Sequence, residues 1–386
     1  MMLEKLEQKH VVLLGFGVEG QATYEFLRTR FPNKTIGIAD RRPLVDLEVA
    51  PAVLARLAQD RNLLFHCGES YLDSLRGYEL IVKTPGIAKT NPTLGAVVER
   101  GALLTSHMEI FFELFDSRRV IAVTGTKGKS TTTSLVYKLA REGGLDVILG
   151  GNIGEPPLLH LDQATDKTVF VLELSSYQLE PLRRSPHIAV LLNIVPEHLD
   201  YHASFAEYAS AKENITRFQD QSDFLVYNSD FTLPSEIADR SRARGVPFSI
   251  KLALDFGCYL EDDRIMFADG HLQKEILRTT DIPLIGAFNL QNVCAAVAAV
   301  AIAGASTATM GESIRSFKPL PHRLEYIGEY SGIRFYNDSI STVPESALGA
   351  LEALGADVQT IILGGHERHL DYDYFARGLL GSKLRT

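Results

Sequence analysis

Short runs of Val, Ile and Leu alternate along the chain with segments whose apolar residues recur every three or four positions. That alternation predicts an α/β protein with parallel sheets, because strands buried on both faces read as continuous apolar runs while crossover helices are apolar on one side. The first part of the pattern places strands at Val11-Phe16, Thr35-Asp40, Leu63-Cys67, Leu80-Thr84 and Ala102-Ser106, with helices over Glu19-Arg28 and Pro51-Gln59 between them. A second series begins at Val120 and continues through Val147-Leu149, Thr168-Leu174, Ile188-Ile194 and Phe224-Tyr227. Between Phe248 and Leu284 the texture changes, and Tyr259 to Phe267 reads as a hairpin with a charged turn. A third series opens near Leu320 with Ile333-Tyr336, a helix from about Pro344 and a strand at Thr360-Gly364. This divides the chain into 1–117, 118–318 and 319–386, the last with fewer strands than the first and apparently incomplete.

A length of 386 residues agrees with several domains, and 45% hydrophobic against 23% charged residues excludes global disorder. The net charge of −9 argues against nucleic acid or an anionic membrane as the main partner. The 3 cysteines, Cys67, Cys258 and Cys294, are scattered and odd in number, which suits a reducing compartment better than a disulfide framework. The start of the chain has no apolar secretory core, and the Ala-rich run Val293 to Ala305 is too short to cross a bilayer. A cytoplasmic location follows as the expectation.

The sharpest local signal is Val123-Thr-Gly-Thr-Lys-Gly-Lys-Ser-Thr131, a strand running into a glycine-rich turn and then a helix. Gly125 and Gly128 allow backbone N–H groups to face phosphate oxygens, Lys129 supplies charge, and the Ser130 hydroxyl suits Mg²⁺. Gly15-Phe-Gly17-Val-Glu-Gly20, with Asp40 at the end of the next strand, fits a dinucleotide-type turn; a nicotinamide cofactor, a uridine diphosphate sugar or a differently used crevice would all suit it. Glu173 in Glu-Leu-Ser-Ser-Tyr-Gln-Leu-Glu180 and His198 in Asn193-Ile-Val-Pro-Glu-His-Leu-Asp200 both lie at strand ends, where metal and phosphate chemistry is delivered. Taken alone, Lys212 reads as a solvated helix lysine, Asn289 and Asn292 as a helix cap, and Asn337-Asp338-Ser339 as a turn.

Taken together, these motifs resemble those of the Mur ligase family: TGTKGKST, ELSSYQLE, NIVPEHLDYH, FNLQN, PHRLE and YNDS occur in the family's order over essentially the whole chain. The resemblance implies a three-domain architecture: an N-terminal Rossmann-like nucleotide domain, a central ATP-binding parallel-sheet domain and a C-terminal Rossmann-like domain. It implies an ATP- and Mg²⁺-dependent amide ligase working through an acyl phosphate, closest to the branch that adds glutamate to UDP-N-acetylmuramoyl-L-alanine for peptidoglycan. On the family pattern Gly125, Thr126, Lys127, Gly128, Lys129, Ser130 and Thr131 cradle ATP phosphates, Asn289 and Asn292 face adenine, and Arg323 and Asp338 close on the nucleotide. Ser130 and Glu173 would hold one Mg²⁺, and His198 with a carbamylated Lys212 a second. Gly17, Val18, Glu19, Asp40, Arg42, Thr84, Pro85 and Gly86 would take the uridine diphosphate, and Asn152, Ser175 and Gln178 the muramoyl part. Lys129, His198 and Lys212 are thus the expected catalytic groups, in a monomer.

The sequence departs from the family pattern in two places. Ile340 stands where a lysine normally follows Asn-Asp-Ser, and Gly364-Gly-His366-Glu-Arg368-His369 replaces a second expected lysine, with Arg368 as the candidate substitute. These departures leave D- and L-glutamate both open, with a lean to D-. The other readings are a nucleotide-binding partner or truncated protein without turnover, and a folylpolyglutamate-type ligase.

Overall fold

The computed structural model describes residues 2–88, 90–199, 201–341, 344–365 and 372–385. Its contacts group into two compact units, one of Met1–Lys129, Leu145–Tyr227 and Phe231–Gly245, the other of Ser130–Gly144, Asn228–Asp230 and Val246–Thr386.

The first unit begins with β1 (Val11–Leu14), β2 (Ile36–Asp40), β3 (Leu63–Cys67), β4 (Leu80–Lys83) and β5 (Leu103–Thr105). They form one parallel sheet in the order β3-β2-β1-β4-β5. After β1 the chain winds outward on one side and then returns to the other, so a crevice opens at the carboxyl ends of β1 and β4. The same unit holds β6 (Val120–Thr124), β7 (Val147–Gly151), β8 (Val169–Glu173), β9 (Ile188–Leu191) and β10 (Phe224–Asn228). Here β6 lies between β8 and β9, again parallel to both. The ends of β6, β8 and β9 therefore deliver Gly125, Glu173 and Asn193 to one edge.

Every residue of β1, β2, β4, β6 and β9 is buried, the pattern that the apolar runs announced. Leu13, Ile38, Phe170, Leu172 and Leu191 belong to one buried cluster. The helix His107–Leu114 brings Phe111 against Phe170 at 4.9 Å between ring centroids. Each such side chain contributes roughly 1.5–3 kcal/mol on burial.

In the second unit the changed texture after Phe248 becomes β11 (Arg244–Ser249), β12 (Phe256–Glu261), β13 (Arg264–Asp269) and β14 (Gln273–Arg278). β12 and β13 pair antiparallel around Asp262, which sits at φ 53°, so the expected charged hairpin forms. The Ala-rich helix runs Ala287–Ile302 and is capped by Gly286 at φ 97°. Asn289 is therefore inside the helix and not its cap.

The C-terminal part differs from expectation. β15 (Glu325–Tyr330) pairs antiparallel with β16 (Ile333–Asn337), and residues 360–364 form no strand. Ile362 is 94% exposed, and among the described residues no strand pairs with its apolar run. β15 escaped the pattern because its alternation is blurred by Glu325, Gly328 and Glu329. The helix expected from about Pro344 is present as Pro344–Leu354, and a further helix covers Tyr372–Leu380. No described helix is long and apolar enough to cross a membrane.

Candidate active site

The turn after β1 exists only because it is made of glycines. Gly15 has φ 94°, and a Cβ there would meet Thr84 Oγ1 at 2.0 Å. A Cβ on Gly20 would meet the Gly15 carbonyl oxygen at 2.3 Å, so the helix Val18–Arg30 starts in close approach to the turn. Asp40 locks this geometry: its Oδ2 accepts from Phe16 N at 2.8 Å and its Oδ1 from Arg42 N at 2.9 Å. Beside the turn lies a cavity of about 800 Å³. Its lining brings together Gly17, Val18, Glu19, Asp40, Arg42, Thr84, Pro85, Gly86, Asn152, Ser175 and Gln178, every residue that the family resemblance assigned to the nucleotide-sugar substrate. Arg368, with His366 and His369, lies outside the described residues.

On the far wall, Ser175 and Gln178 form a capping box at the start of the short helix Ser176–Leu179. Gln178 Oε1 accepts from Ser175 N and Oγ, which turns its amide nitrogen toward Glu19 Oε1 at 2.5 Å. Burial, opposed by Gln178 and Lys83, pushes the Glu19 carboxyl up to about 7. Asn152 Nδ2 donates to Glu173 Oε1 at 2.7 Å. The other oxygen, Glu173 Oε2, is buried and has no hydrogen-bond partner among the described residues. An orphaned carboxylate oxygen beside a phosphate loop suits a hard cation, so Glu173 fits a Mg²⁺ ligand.

The phosphate loop leaves β6 at Gly125, φ 157°, where a Cβ would lie 2.8 Å from Leu192 Cβ. Asn193, which the sequence reading did not single out, staples it. Its carbonyl accepts from Thr126 N at 2.7 Å, its Oδ1 from Lys127 N at 2.9 Å, and its Nδ2 donates to Lys127 O at 3.1 Å. Gly128 takes φ 86°, and Lys129 then opens the helix Lys129–Glu142. Lys129 Nζ donates to Gly125 O at 3.0 Å and Thr126 O at 2.9 Å. Lys127 pairs with Glu197 at 2.7 Å; burial raises the Glu197 carboxyl, but Lys127, His198 and Lys129 together outweigh it and hold the group below its usual range.

Lys212 departs most from its plain sequence reading. It is not a solvated lysine but 1% exposed, on the inner face of the helix Phe205–Arg217. Its Nζ donates to Gly125 O at 2.8 Å and lies 4.9 Å from the Tyr208 ring centroid. Burial, with the charge of Lys129 second, drives its pKa well below the ordinary lysine value. Tyr208, also unforeseen, bonds Thr126 Oγ1 through its hydroxyl at 3.0 Å. Its position four residues before Lys212, on one helix face, was the available signal. His198 adopts φ 57°, with its ring 5.2 Å from that of Tyr177 and 6.1 Å from that of Tyr208.

The second unit carries the remaining expected nucleotide residues. Arg323 Nη2 donates to Ser130 Oγ at 2.9 Å. Thr132 Oγ1 donates to Asn292 Oδ1 at 3.2 Å, Asn292 Nδ2 to Asn289 Oδ1 at 2.9 Å, and Asn289 Nδ2 to Ile285 O at 2.8 Å. Thr131 is buried on the same helix as Ser130. Asp338 is occupied locally, accepting from Leu324 N at 3.0 Å and Ser341 Oγ at 2.5 Å. Ser339 N bonds Asn337 Oδ1 at 3.1 Å, so the Asn337-Asp338-Ser339 turn forms, and Ile340 follows it exposed.

Comparison with known proteins places these features. Residues 123–300 match the Mur ligase middle domain and residues 9–106 the Mur ligase MurD-like N-terminal domain. The chain is 37% identical over 370 residues to a UDP-N-acetylmuramoylalanine--D-glutamate ligase of Acetivibrio thermocellus, covering 96% of this chain and 78% of that protein. It is 36% identical over 383 residues to the protein of the same name from Symbiobacterium thermophilum, covering 98% and 82%. Among solved structures, UDP-N-acetylmuramate-alanine ligase MurC from Thermotoga maritima shares 18% identity at a TM-score of 0.54, covering 90% of this chain and 77% of that one. A murein peptide ligase from Psychrobacter arcticus shares 17% at 0.56, covering 90% and 76%.

Proposed function

The chain belongs to the Mur ligase family, a family of ATP-dependent, ADP-forming amide ligases, and we propose that it joins D-glutamate to UDP-N-acetylmuramoyl-L-alanine in the cytoplasm, acting as a monomer in peptidoglycan precursor synthesis. Residues 1–117 would take the uridine diphosphate end, 118–318 the ATP, and 319–386 the incoming amino acid. The names of the relatives support glutamate and favour the D-form over the L-form.

The alanyl carboxylate of the substrate attacks the γ-phosphorus of ATP. The bond to the bridging oxygen breaks and ADP leaves, giving an acyl phosphate. The amine of glutamate then attacks the acyl carbon, the carbon–oxygen bond to phosphate breaks, inorganic phosphate leaves, and the nitrogen sheds its proton. Lys129 and the N–H groups of the loop Gly125–Ser130 would stabilise charge on the transferring phosphoryl group. Bound Mg²⁺ would neutralise the same oxygens, with Ser130 and Glu173 as ligands of one ion and His198 and Lys212 of another. Arg323 and Asp338 would close on ATP, and Asn289 and Asn292 would lie toward the adenine. Arg368 is the proposed cation for a glutamate carboxylate.

The observation that carries this reading is Lys212. A buried lysine bonded to the phosphate-loop carbonyl of Gly125 and shifted toward its neutral form is a nucleophile for CO₂. Its amine adds to the carbon and loses a proton, leaving a carbamate that offers oxygen to a cation where an ammonium would repel it. The test is mass spectrometry of products formed from ATP, UDP-N-acetylmuramoyl-L-alanine and each glutamate enantiomer. The expected product carries one added glutamyl residue with D-glutamate. No glutamyl product from either enantiomer contradicts the assignment.

A further inference from the structure

Two stretches distant in sequence run side by side: the phosphate loop after β6 and the segment 193–198 that follows β9. Asn193 clasps the backbones of Thr126 and Lys127. Two residues on, Val195 N donates to Thr126 Oγ1 at 3.0 Å, and that hydroxyl donates to Val195 O at 3.1 Å. Two further on, Glu197 Oε1 accepts from Lys127 Nζ at 2.7 Å. The pairing ends at His198, which adopts φ 57° and whose Nε2 lies 3.8 Å from Glu197 Oε2. The Glu197 carboxylate thus has one oxygen on the loop lysine and the other beside the imidazole.

A left-handed backbone at a residue with a side chain costs about 1–3 kcal/mol, so His198 needs neighbours that hold it there. The Lys127 side chain is 39% exposed, and an ion pair open to water on that side adds only about 0–1 kcal/mol to folding. The Lys127–Glu197 bond therefore does little for global stability, yet it fixes the end of the segment that carries His198. It also turns the lysine away from its expected task. The family pattern counts Lys127 among the groups that cradle ATP, whereas its ammonium is directed at Glu197.

We propose that Glu197 is a positioning residue for phosphoryl transfer: its bond to Lys127 sets the distance of His198 from the phosphate loop, and the Lys127 ammonium acts through that bond and not on the phosphates of ATP. The proposal rests on the reading of the loop as the ATP phosphate site and of His198 as a Mg²⁺ ligand. A misplacement of about 1 Å among groups that must act together costs up to about a hundredfold in rate. A bond that is weak as a stabiliser can therefore weigh heavily on kcat.

The test is a double-mutant cycle on the full chain with Lys127→Met, Glu197→Gln and the two combined. For each protein, kcat is read from ADP release with all substrates, Mg·ATP affinity by calorimetry without the other substrates, and stability from the thermal unfolding midpoint. Each single variant should lower kcat by about 10- to 100-fold. The double variant should match the slower single within about twofold, because both changes break the same bond. Mg·ATP affinity should stay within about twofold of wild type throughout. Lys127→Arg, which can still donate to Glu197, should recover most of the lost rate. At saturating Mg·ATP, the free Mg²⁺ needed for half-maximal rate should rise in the single variants, a change that loss of packing alone does not produce. The inference is overturned, and the ATP reading stands, if Glu197→Gln keeps the wild-type kcat, if the two losses multiply, or if Lys127→Met weakens Mg·ATP by about tenfold. A fall in unfolding midpoint that tracks the loss of rate would make the pair a packing contact and overturn it as well. If the wild-type chain binds no Mg·ATP, the reading of the loop fails and takes the inference with it.

Discussion

Lys129 and Lys212 sit on either side of the Gly125 carbonyl, each donating to it from a different element. The charge of Lys129 adds to burial in driving Lys212, sealed from solvent, toward its neutral form. The consequences separate in mutants. Lys129→Ala should leave folding intact and cut ADP formation by on the order of 10² to 10³, since its charge bears on the transferring phosphoryl group. Near-normal ADP release from a folded variant, checked by circular dichroism, would remove Lys129 from the chemistry. Lys212→Ala should lose activity on the order of a hundredfold. A small carboxylate such as formate, added in solution, should restore part of it by filling the space of a carbamate. A variant that is folded and inactive yet indifferent to added carboxylate would return Lys212 to a packing role.

The strand–turn–helix elements act through backbone approach. Gly20→Ala would place a Cβ 2.3 Å from the Gly15 carbonyl oxygen, which belongs to backbone and cannot swing aside. The expected result is a loss of about 1–3 kcal/mol of stability, with weaker binding of the UDP substrate and little change in the KM for ATP. Equal losses in both substrates would mean that the turn serves general folding. These glycine turns were legible because their spacing is dictated by covalent geometry: Gly15-x-Gly17-x-x-Gly20 and Gly125-x-x-Gly128 admit few other conformations. The central strands β1, β2, β4, β6 and β9 were legible for a similar reason, since a strand buried on both faces must be apolar throughout. Lys212 was not legible from its surroundings, because a lysine followed by Glu213 and Asn214 reads as a solvated helix position, and the group it bonds, the distant Gly125 carbonyl, is not visible locally. Asn193 was quoted only as part of a block, since nothing local reveals that its amide would clasp Lys127. Residues 360–364 misled in the other direction: Ile361-Ile362-Leu363 has the composition of a strand but no paired neighbour among the described residues.

At the scale of the whole molecule, the expected residues divide between the two units. The first holds the nucleotide cavity, the loop Gly125–Lys129, Glu173, His198 and Lys212; the second holds Ser130, the asparagine pair, Arg323 and Asp338. The chain covers 78% to 82% of the lengths of its two relatives above. The central claim, that the carboxylate of one substrate is phosphorylated before the amide forms, does not depend on which enantiomer of glutamate is accepted. It is tested most directly by labelling the alanyl carboxylate of UDP-N-acetylmuramoyl-L-alanine with oxygen-18 and following the label through turnover. Attack of that carboxylate on the γ-phosphorus requires one labelled oxygen to leave in each inorganic phosphate, alongside unlabelled ADP. Phosphate released without label, or label recovered in a nucleotide product, would contradict the acyl-phosphate account.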